Sequence, residues 1–283
     1  MIIETVDNAQ VVKVRQSWLN DAMMCLERGR YGINLPDWNK GNDATVLGTS
    51  VHTAIERVLT AQTSAVDILD QYPEILRELI ASEDFKYMSM TDESMEAYGL
   101  AMVEAWRRDI MPKVKFGGRV EHKFNTHLTN VETPNGKNVE VRLIGTMDYI
   151  DPDGVIWDWK TAARKYSQLE KQKANIQSSV YALASHLMED NPLPITFNFG
   201  VMTRANKSVG QVVPVQRTSA HCEWIKSQIQ SVVRMGLSMG LENSWPQNDQ
   251  GHLCSEKWCP WWSICKGSHL SEMENRWNPE EGQ

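Results

Sequence analysis

The stretch GTMDYIDPDGVIWDWKT, residues 145–161, decides the fold. Its centre, Asp151-Pro152-Asp153-Gly154, has the composition of a tight turn. The apolar residues on either side of that turn predict two strands, 139–150 and 155–160. A third strand at 119–129 precedes them and is joined to them by an Asn-Gly sequence, which favours hairpins. Three strands with short connections predict an antiparallel meander.

Periodicity elsewhere in the chain predicts an α/β (α+β) protein. Apolar residues at helical spacing predict helices at 17–31, 44–61, 66–80, 91–111, 174–189 and 220–241, with further strands at 195–203 and 209–217. We therefore expect a core of strands and helices over 116–242. A mainly helical portion, 1–115, precedes this core, and a cysteine-rich cap, 243–283, follows it, all within one integrated domain.

The predicted meander brings several charged side chains close together. The turn brings Asp148 close to Asp158, and strand alternation puts Asp158 and Lys160 on the same face. Two carboxylates and the backbone carbonyl of Trp159 offer the oxygen ligands that Mg²⁺ or Mn²⁺ prefers. A lysine beside such an ion can orient water, help to deprotonate it, or stabilise charge on a phosphate.

A plainer interpretation is that these residues are surface charges on a solvated strand face. Apolar residues flank the set closely, including Ile144, Met147, Ile156 and Trp157. Buried charges need a partner ion. The flanking residues therefore favour a functional site over a solvated face.

Composition bounds the class of protein. The 283 residues contain 41% hydrophobic and 23% charged residues, which is typical of globular proteins and excludes collagen-like or disordered chains. The net charge of −7 argues against a generic phosphate-coating protein. We see no apolar run long enough for a membrane span and no secretory signal, so we expect a cytoplasmic protein.

Basic residues are concentrated locally around 107–123 and 160–173. The second group, near Tyr166, could follow a phosphate backbone beside a stacking ring. Each of these residues could equally belong to a solvated charged face. No base-reading motif is apparent, which favours sequence-tolerant action on nucleic acid.

The five cysteines are distributed unevenly. Three of them, Cys254, Cys259 and Cys265, fall within twelve residues, whereas Cys25 lies near the start and Cys222 stands apart. An odd number in a cytosolic chain argues against a disulfide framework. Thiolate tetrads bind Zn²⁺ or iron–sulfur clusters, and the chemistry alone leaves both open, beside free structural cysteines.

Asp148 followed by Asp158-Trp159-Lys160 resembles the signature of the PD-(D/E)XK nuclease superfamily. Gly48-Thr49-Ser50-Val51-His52 and Gln177-Ser178-Ser179-Val180-Tyr181 resemble the G-x-x-x-H and Q-x-x-x-Y elements of its RecB-like branch. Glu121 resembles an acidic residue often found on the preceding strand. Taken alone, His52, Gln177 and Tyr181 could be ordinary helix residues; their order around the strand motif makes the resemblance specific.

The resemblance implies the αβββαβ core of the PD-(D/E)XK nucleases and several residue roles. His52 would join Asp148, Asp158 and the Trp159 carbonyl as a ligand of Mg²⁺ or Mn²⁺, and Gln177 and Tyr181 would contact DNA and brace the site. In part of this branch, three C-terminal cysteines and a distant N-terminal one hold a 4Fe–4S cluster, which assigns that role to Cys25, Cys254, Cys259 and Cys265. The gap of four residues before Cys259 departs from the usual two.

The resemblance further implies a metal-dependent DNA exonuclease that acts on single strands from 5′ to 3′ in end processing, recombination or replication, as CRISPR-associated and phage-type relatives do. One alternative is an endonuclease that trims DNA ends for CRISPR spacer acquisition with integrase-type partners. Others are a non-catalytic DNA-binding subunit and a zinc-stapled structural protein. A homo-oligomer is compatible with all of these.

Overall fold

The computed structural model describes residues 1–6, 9–38, 41–173, 175–251 and 253–267. These residues form a mixed α/β fold around one sheet, which confirms the predicted fold class. The strands are β1 Ile2–Val6, β2 Ala9–Val14, β3 Arg119–Glu132, β4 Asn138–Ile150, β5 Ile156–Ala162, β6 Ile195–Thr203 and β7 Gly210–Arg217. The helices are α1 Gln16–Met24, α2 Leu26–Asn34, α3 Asp43–Leu59, α4 Asp67–Ser82, α5 Asp92–Ala105, α6 Gln168–Lys173, α7 Ile176–Glu189 and α8 Ser219–Met239.

The sheet is organised around β4. The strand order is β1-β2-β4-β5-β6-β7, with β3 paired to β4 outside this path. The predicted meander is present, because β3, β4 and β5 pair antiparallel in sequence order. Strand β6 then adds parallel to β5, after a crossover through α6 and α7.

One edge of β4 is shared between two strands. Residues 140–143 pair with β2, whereas only Tyr149 and Ile150 pair with β5. The five residues between them, 144–148, pair with neither β2 nor β5 in the described ladders, whereas residues 144–147 pair with β3 on the opposite edge. Strands β2 and β5 therefore separate along this edge of β4. Asp148 lies at the end of the gap between them, next to the residues that pair with β5.

Helices cover both faces of the sheet. One apolar cluster packs α1, α7 and α8 against it and includes Leu143, Phe197 and Ile225. A second cluster packs α3, α4 and α5 around Trp157 and Trp159. The sheet interior is thus removed from water on both sides, and polar side chains on its central strands need partners.

The N-terminal portion differs from the prediction. Strands β1 and β2 pair antiparallel as a hairpin in a region that we expected to be mainly helical. The helix expected at 17–31 is two helices, α1 and α2, because Cys25 between them adopts an extended conformation with φ −157° and ψ 120°. The helix expected at 91–111 changes to π-helical geometry over Trp106–Ile110. Helix α6 was not predicted.

Buried hydrogen bonds secure the start of α3. The Asn42 side chain accepts from the backbone N–H groups of Ala44 and Thr45 as an N-cap. The buried carboxylate of Asp43 accepts backbone N–H groups from Met88, Ser89 and Met90 at 3.0, 2.6 and 2.8 Å. These contacts attach the loop before α5 to the helix that carries His52.

None of the helices in the described ranges is long and apolar enough to cross a membrane.

Replacing Asp43 by alanine should lower the free energy of unfolding by about 3 kcal/mol, because several buried N–H groups lose their acceptor. Desolvation opposes ionisation, but the backbone hydrogen bonds outweigh it and hold the pKa of Asp43 below its usual value. The loss should therefore be largest at neutral pH and shrink as the pH falls below about 4. Urea unfolding at a series of pH values measures this difference.

Asp70→Ala, at an exposed position on α4, is the control and should change stability by less than about 0.5 kcal/mol. Equal effects of the two substitutions would contradict the assigned role of Asp43.

Candidate active site

Asp158 and Lys160 form an ion pair on β5. Lys160 Nζ lies 2.6 Å from Asp158 Oδ2, and the Asp158 residue is 1% exposed. The Gln177 Nε2 group of α7 donates to Asp158 Oδ1 at 2.7 Å. The predicted sharing of one strand face by Asp158 and Lys160 agrees with this contact, and Gln177 braces the carboxylate directly.

Asp148 lies on the neighbouring strand and joins two other elements. Its Oδ2 atom accepts the backbone N–H of Trp159 at 2.7 Å and lies 3.5 Å from Nδ1 of His52 on α3. The structure therefore brings Asp148, Asp158, Lys160 and His52 together from three separate elements. Trp159 contacts Asp148 through its backbone N–H, and the role of its carbonyl stays a prediction.

The approach of α3 to β5 depends on a small residue. A Cβ atom built on Gly48 would lie 3.3 Å from Oγ1 of Thr161, which is tighter than most carbon contacts. Glycine lets the helix come close to the strand end, and His52 follows one turn later on the same side of the helix. This contact gives a physical reason for glycine in the G-x-x-x-H pattern.

The two tryptophans that flank Asp158 fix the strand from its other face. Trp157 and Trp159 have ring centroids 5.6 Å apart, and Trp159 meets Trp106 edge-to-face at 6.1 Å. Both rings are about 2% exposed. Because side chains alternate along a strand, packing these rings against the α3–α5 cluster directs Asp158 and Lys160 towards α7.

Burial and charge shift the titration of this group. Burial raises the pKa of Asp158, while the nearby ammonium of Lys160 opposes the shift. Burial disfavours a charged Lys160, but attraction by Asp158 and Asp148 outweighs it and holds the pKa above its usual value. Burial also raises the pKa of Tyr181 to about 12, assisted by the charge of Asp158.

Glu121 adds a further carboxyl group. It lies between the pairs Val120–Tyr149 and His122–Met147 of β3 and β4, which puts it opposite Asp148. Its φ of 47° is in the left-handed region, which is costly for a residue with a side chain and concentrates at functional sites. Partial desolvation, followed by repulsion from Asp148 and Glu56, raises the pKa of Glu121 to about 7.

The donors suit a hard divalent cation. Asp158 Oδ2 is buried and, although it faces Lys160, has no hydrogen bond of acceptable geometry. Carboxylate oxygens and an imidazole nitrogen are ligands that Mg²⁺ or Mn²⁺ accepts. Within the described ranges, however, no three His, Cys, Asp or Glu side chains are grouped closely enough to hold an ion. The metal ligands therefore stay a prediction.

Four cysteines line a second site. A cavity of about 230 Å³ lies between α1–α2 and the C-terminal segment, and its walls include Cys25, Cys254, Cys259 and Cys265. Burial raises the pKa of Cys265 to about 11, and the charges of Glu27, Cys25 and Cys259 add to the shift. Cys222 is buried elsewhere in the core, as expected.

Hydrogen bonds hold the walls of this cavity together. The buried carboxylate of Glu27 pairs with Arg30 at 2.6 and 2.7 Å and accepts the backbone N–H of Trp245 at 2.7 Å. Asn248 donates its side-chain amide to Met24 O at 2.9 Å, and its backbone N–H lies 3.4 Å from Cys25 Sγ. The chain ends are thus joined around the cysteines by the protein itself.

Two features of these sites were not predicted. Nothing local in the sequence marks Glu27 as the residue that joins α2 to the segment at 245, although a glutamate three residues before Arg30 is a recognisable helix pair. The contribution of Lys13 and Arg15 to the surface beside Asp148 was also missed, because the hairpin that carries them was not predicted.

Comparisons with known proteins give matches over most of the chain. The family model of the PD-(D/E)XK nuclease superfamily matches residues 28–266. A solved structure from Eubacterium rectale, described as a "Putative exonuclease", is similar with a TM-score of 0.55 and 14% identity, covering 85% of this chain and 86% of that chain. Its likeness concerns the fold alone.

A second solved structure, that of SSO0001, has a TM-score of 0.39 and 12% identity, covering 89% of this chain and 85% of that chain, and carries no argument. No match was found among curated proteins.

The raised pKa of Glu121 predicts a pH-dependent stability in protein stripped of divalent metal. Its contribution is present below the unfolded value of about 4.3 and is lost as the pH rises through about 7. Glu121→Gln should therefore match the wild type near pH 4 and be more stable than it near pH 8. Urea unfolding in EDTA measures the difference; a stability gain that did not grow with pH would contradict the shift.

Proposed function

The chain belongs to the PD-(D/E)XK nuclease superfamily, and we propose that it hydrolyses the phosphodiester bonds of DNA at the site formed by Asp148, Asp158, Lys160 and His52. The superfamily assignment supports nuclease activity on DNA with Mg²⁺ or Mn²⁺ as cofactor. The observation that carries the residue assignment is the buried carboxylate of Asp158, paired with the partly exposed ammonium group of Lys160 and braced by Gln177. Burying a carboxylate costs more in desolvation than most structural contacts return.

Each residue has a role that follows from its contacts. Asp148 and Asp158, with His52, would hold the cation; the resemblance adds the Trp159 carbonyl. A cation bound there would polarise the phosphate and lower the pKa of a water molecule. Gln177 fixes one Asp158 oxygen and leaves the other directed at Lys160.

Lys160 serves as a cation in this proposal. Asp158 and Asp148 attract its charged form and hold the pKa of Lys160 above its usual value, which favours the protonated ammonium group over a proton acceptor. Its ammonium group instead opposes the negative charge that builds on the phosphate oxygens as water adds to phosphorus and the P–O bond to the leaving strand breaks. Of the roles open to this lysine, charge stabilisation is therefore favoured.

The finer specificity rests on the resemblance to the RecB-like branch. We propose an exonuclease that acts on single-stranded DNA from 5′ to 3′ and serves end processing. Labelling either end of a single-stranded substrate tests the polarity, since release of a labelled mononucleotide at early times identifies the end that is attacked.

Asp158→Asn should reduce cleavage of single-stranded DNA by at least about a thousandfold, because the substitution removes a metal-binding charge and leaves the side chain's shape unchanged. Lys160→Met should cause a comparable loss. The measurement is product formation from end-labelled DNA with Mn²⁺, using protein whose circular dichroism spectrum matches the wild type.

Asp153→Ala is the matched control, because this carboxylate lies in the exposed turn five residues before Asp158. It should cleave like the wild type. Normal cleavage by Asp158→Asn would show that the catalytic site lies elsewhere.

We further propose that the cysteine cavity holds a 4Fe–4S cluster. Four cysteines that line one cavity of about 230 Å³ support this assignment. A zinc ion needs its four sulfur ligands at about 2.3 Å from one point, and no three such side chains in the described ranges are grouped that closely. In an iron–sulfur cluster, each thiolate would instead bind its own iron atom. The backbone N–H of Asn248 facing Cys25 Sγ is the kind of hydrogen bond that such clusters accept from proteins.

Cys265→Ala should abolish the brown colour of anaerobically purified protein and lower its melting temperature, because the bound group links the chain ends. Cys222→Ala, which lies outside the cavity, should keep its iron and sulfide. Iron, sulfide and zinc determinations on all three proteins decide between the metals. One zinc per chain without iron would replace the cluster by the zinc alternative.

A further inference from the structure

A groove of about 780 Å³ opens where the sheet divides. We propose that this groove holds the phosphates of a single DNA strand beside the bond that is cleaved, with Arg15 and Lys123 as the principal contacts. This inference rests on the proposed nuclease function and names the path by which the substrate reaches that same site.

The floor of the groove is the paired strands β3 and β4. Ile144, Gly145 and Thr146 line it along the part of the β4 edge that pairs with neither β2 nor β5. A Cβ atom on Gly145 would lie 2.6 Å from the Phe124 ring, so the glycine lets this ring close the floor. The floor thus lies where the β4 edge has no neighbouring β-strand. A DNA strand can occupy the space in which such a β-strand would otherwise lie.

One wall of the groove comes from the N-terminal hairpin and the start of α1. Lys13 and Glu4 face each other across β1 and β2 at 2.6 Å. Arg15, Gln16 and Ser17 continue the wall at the point where α1 begins. Arg15 is the N-cap residue, and its side chain does not cap the helix.

The charge of the groove is opposite to that of the whole chain. The net charge of the protein is −7, but the charged residues lining the groove are Lys13, Arg15 and Lys123 against the single carboxylate of Glu4. Glu4 is already paired with Lys13. Arg15 and Lys123 are exposed and, within the described ranges, make no ion pair or side-chain hydrogen bond. Two cations are thus available for phosphate groups.

The groove is continuous with the candidate active site. Tyr181 lines the groove, contacts the Phe124 ring edge-to-face at 5.7 Å and lies in the field of Asp158. Thr146 is two residues before Asp148, and Lys123 is two residues after Glu121. A strand lying along the groove therefore delivers a phosphate to the buried carboxylates.

The lining favours a single strand bound through its backbone. Phe124 and Tyr181 are both less than 10% exposed, so neither ring presents a face on which bases could stack. The accessible groups are cations and small polar side chains, which contact phosphates without reading the bases. One channel with cations along it matches one backbone rather than the two of a duplex.

The test is the affinity of the full chain for fluorescent oligothymidylate in EDTA, where no cleavage occurs. The double variant Arg15→Gln with Lys123→Gln should bind about tenfold more weakly than the wild type. Between about 50 and 200 mM salt, its slope of log affinity against log salt should be shallower by about 1.4, because two phosphate contacts are lost.

The control is Arg77→Gln with Arg234→Gln, which removes the same charge from exposed positions on α4 and α8 outside the groove. It should leave both the affinity and the salt slope unchanged. Any of three outcomes would overturn the proposal. The two double variants could lose affinity equally, the wild type could fail to bind oligothymidylate, or the groove variant could lose affinity only for duplex DNA.

Comparison with Asp158→Asn separates this inference from the proposed function. Asp158→Asn should bind oligothymidylate in EDTA at least as tightly as the wild type and fail to cleave it with Mn²⁺. If the groove variant loses affinity while the wild type does not cleave, the groove stands and the nuclease assignment fails. If Asp158→Asn abolishes cleavage while the groove variant binds normally, the groove is wrong and the active site stands.

Discussion

A carboxylate buried on the central strand beside a partly exposed lysine ammonium group is the constraint on which this architecture depends. Removing Asp158 from water costs several kcal/mol, which its attraction to Lys160 and one hydrogen bond from Gln177 must offset. The surrounding elements hold these two side chains and their partners in place. The tryptophans on the opposite face anchor β5, α7 supplies the amide, and α3 comes close enough through Gly48 to place His52 near Asp148.

Much of this centre could be predicted because its signals are local. The turn at 151–154 sets which residues of the two strands oppose each other, and alternation then places Asp158 and Lys160 together. The hairpin β1–β2 was missed because its partner is β4, about 130 residues later in the chain, and the pairing is parallel. The break at Cys25 was missed for a related reason: the helical pattern runs through it, and the residue that contacts Cys25, Asn248, lies 223 positions later in the chain.

The unpredicted hairpin changes how the site is understood. Strand β2 occupies one part of the β4 edge and β5 another, so the gap between them exists only because both strands are present. In the predicted arrangement, a helical N-terminal portion followed by the meander, no strand would have paired with the part of the β4 edge that β2 occupies. The hairpin therefore converts an exposed edge, which is prone to pair with other strands, into a bounded groove with cations at its rim.

Helix α1 connects the two sites in the molecule. It begins beside Arg15 at the groove and ends at Cys25 in the cysteine cavity, a length of about 14 Å. Its buried face, which includes Trp18 and Leu19, packs into the same core as α7 and its Tyr181. The contacts that hold Cys25 in place therefore also hold the N-terminal end of α1, which lines the groove. The contacts between α1–α2 and residues 245–248 thus hold one wall of the proposed substrate path in place relative to the carboxylates on the sheet.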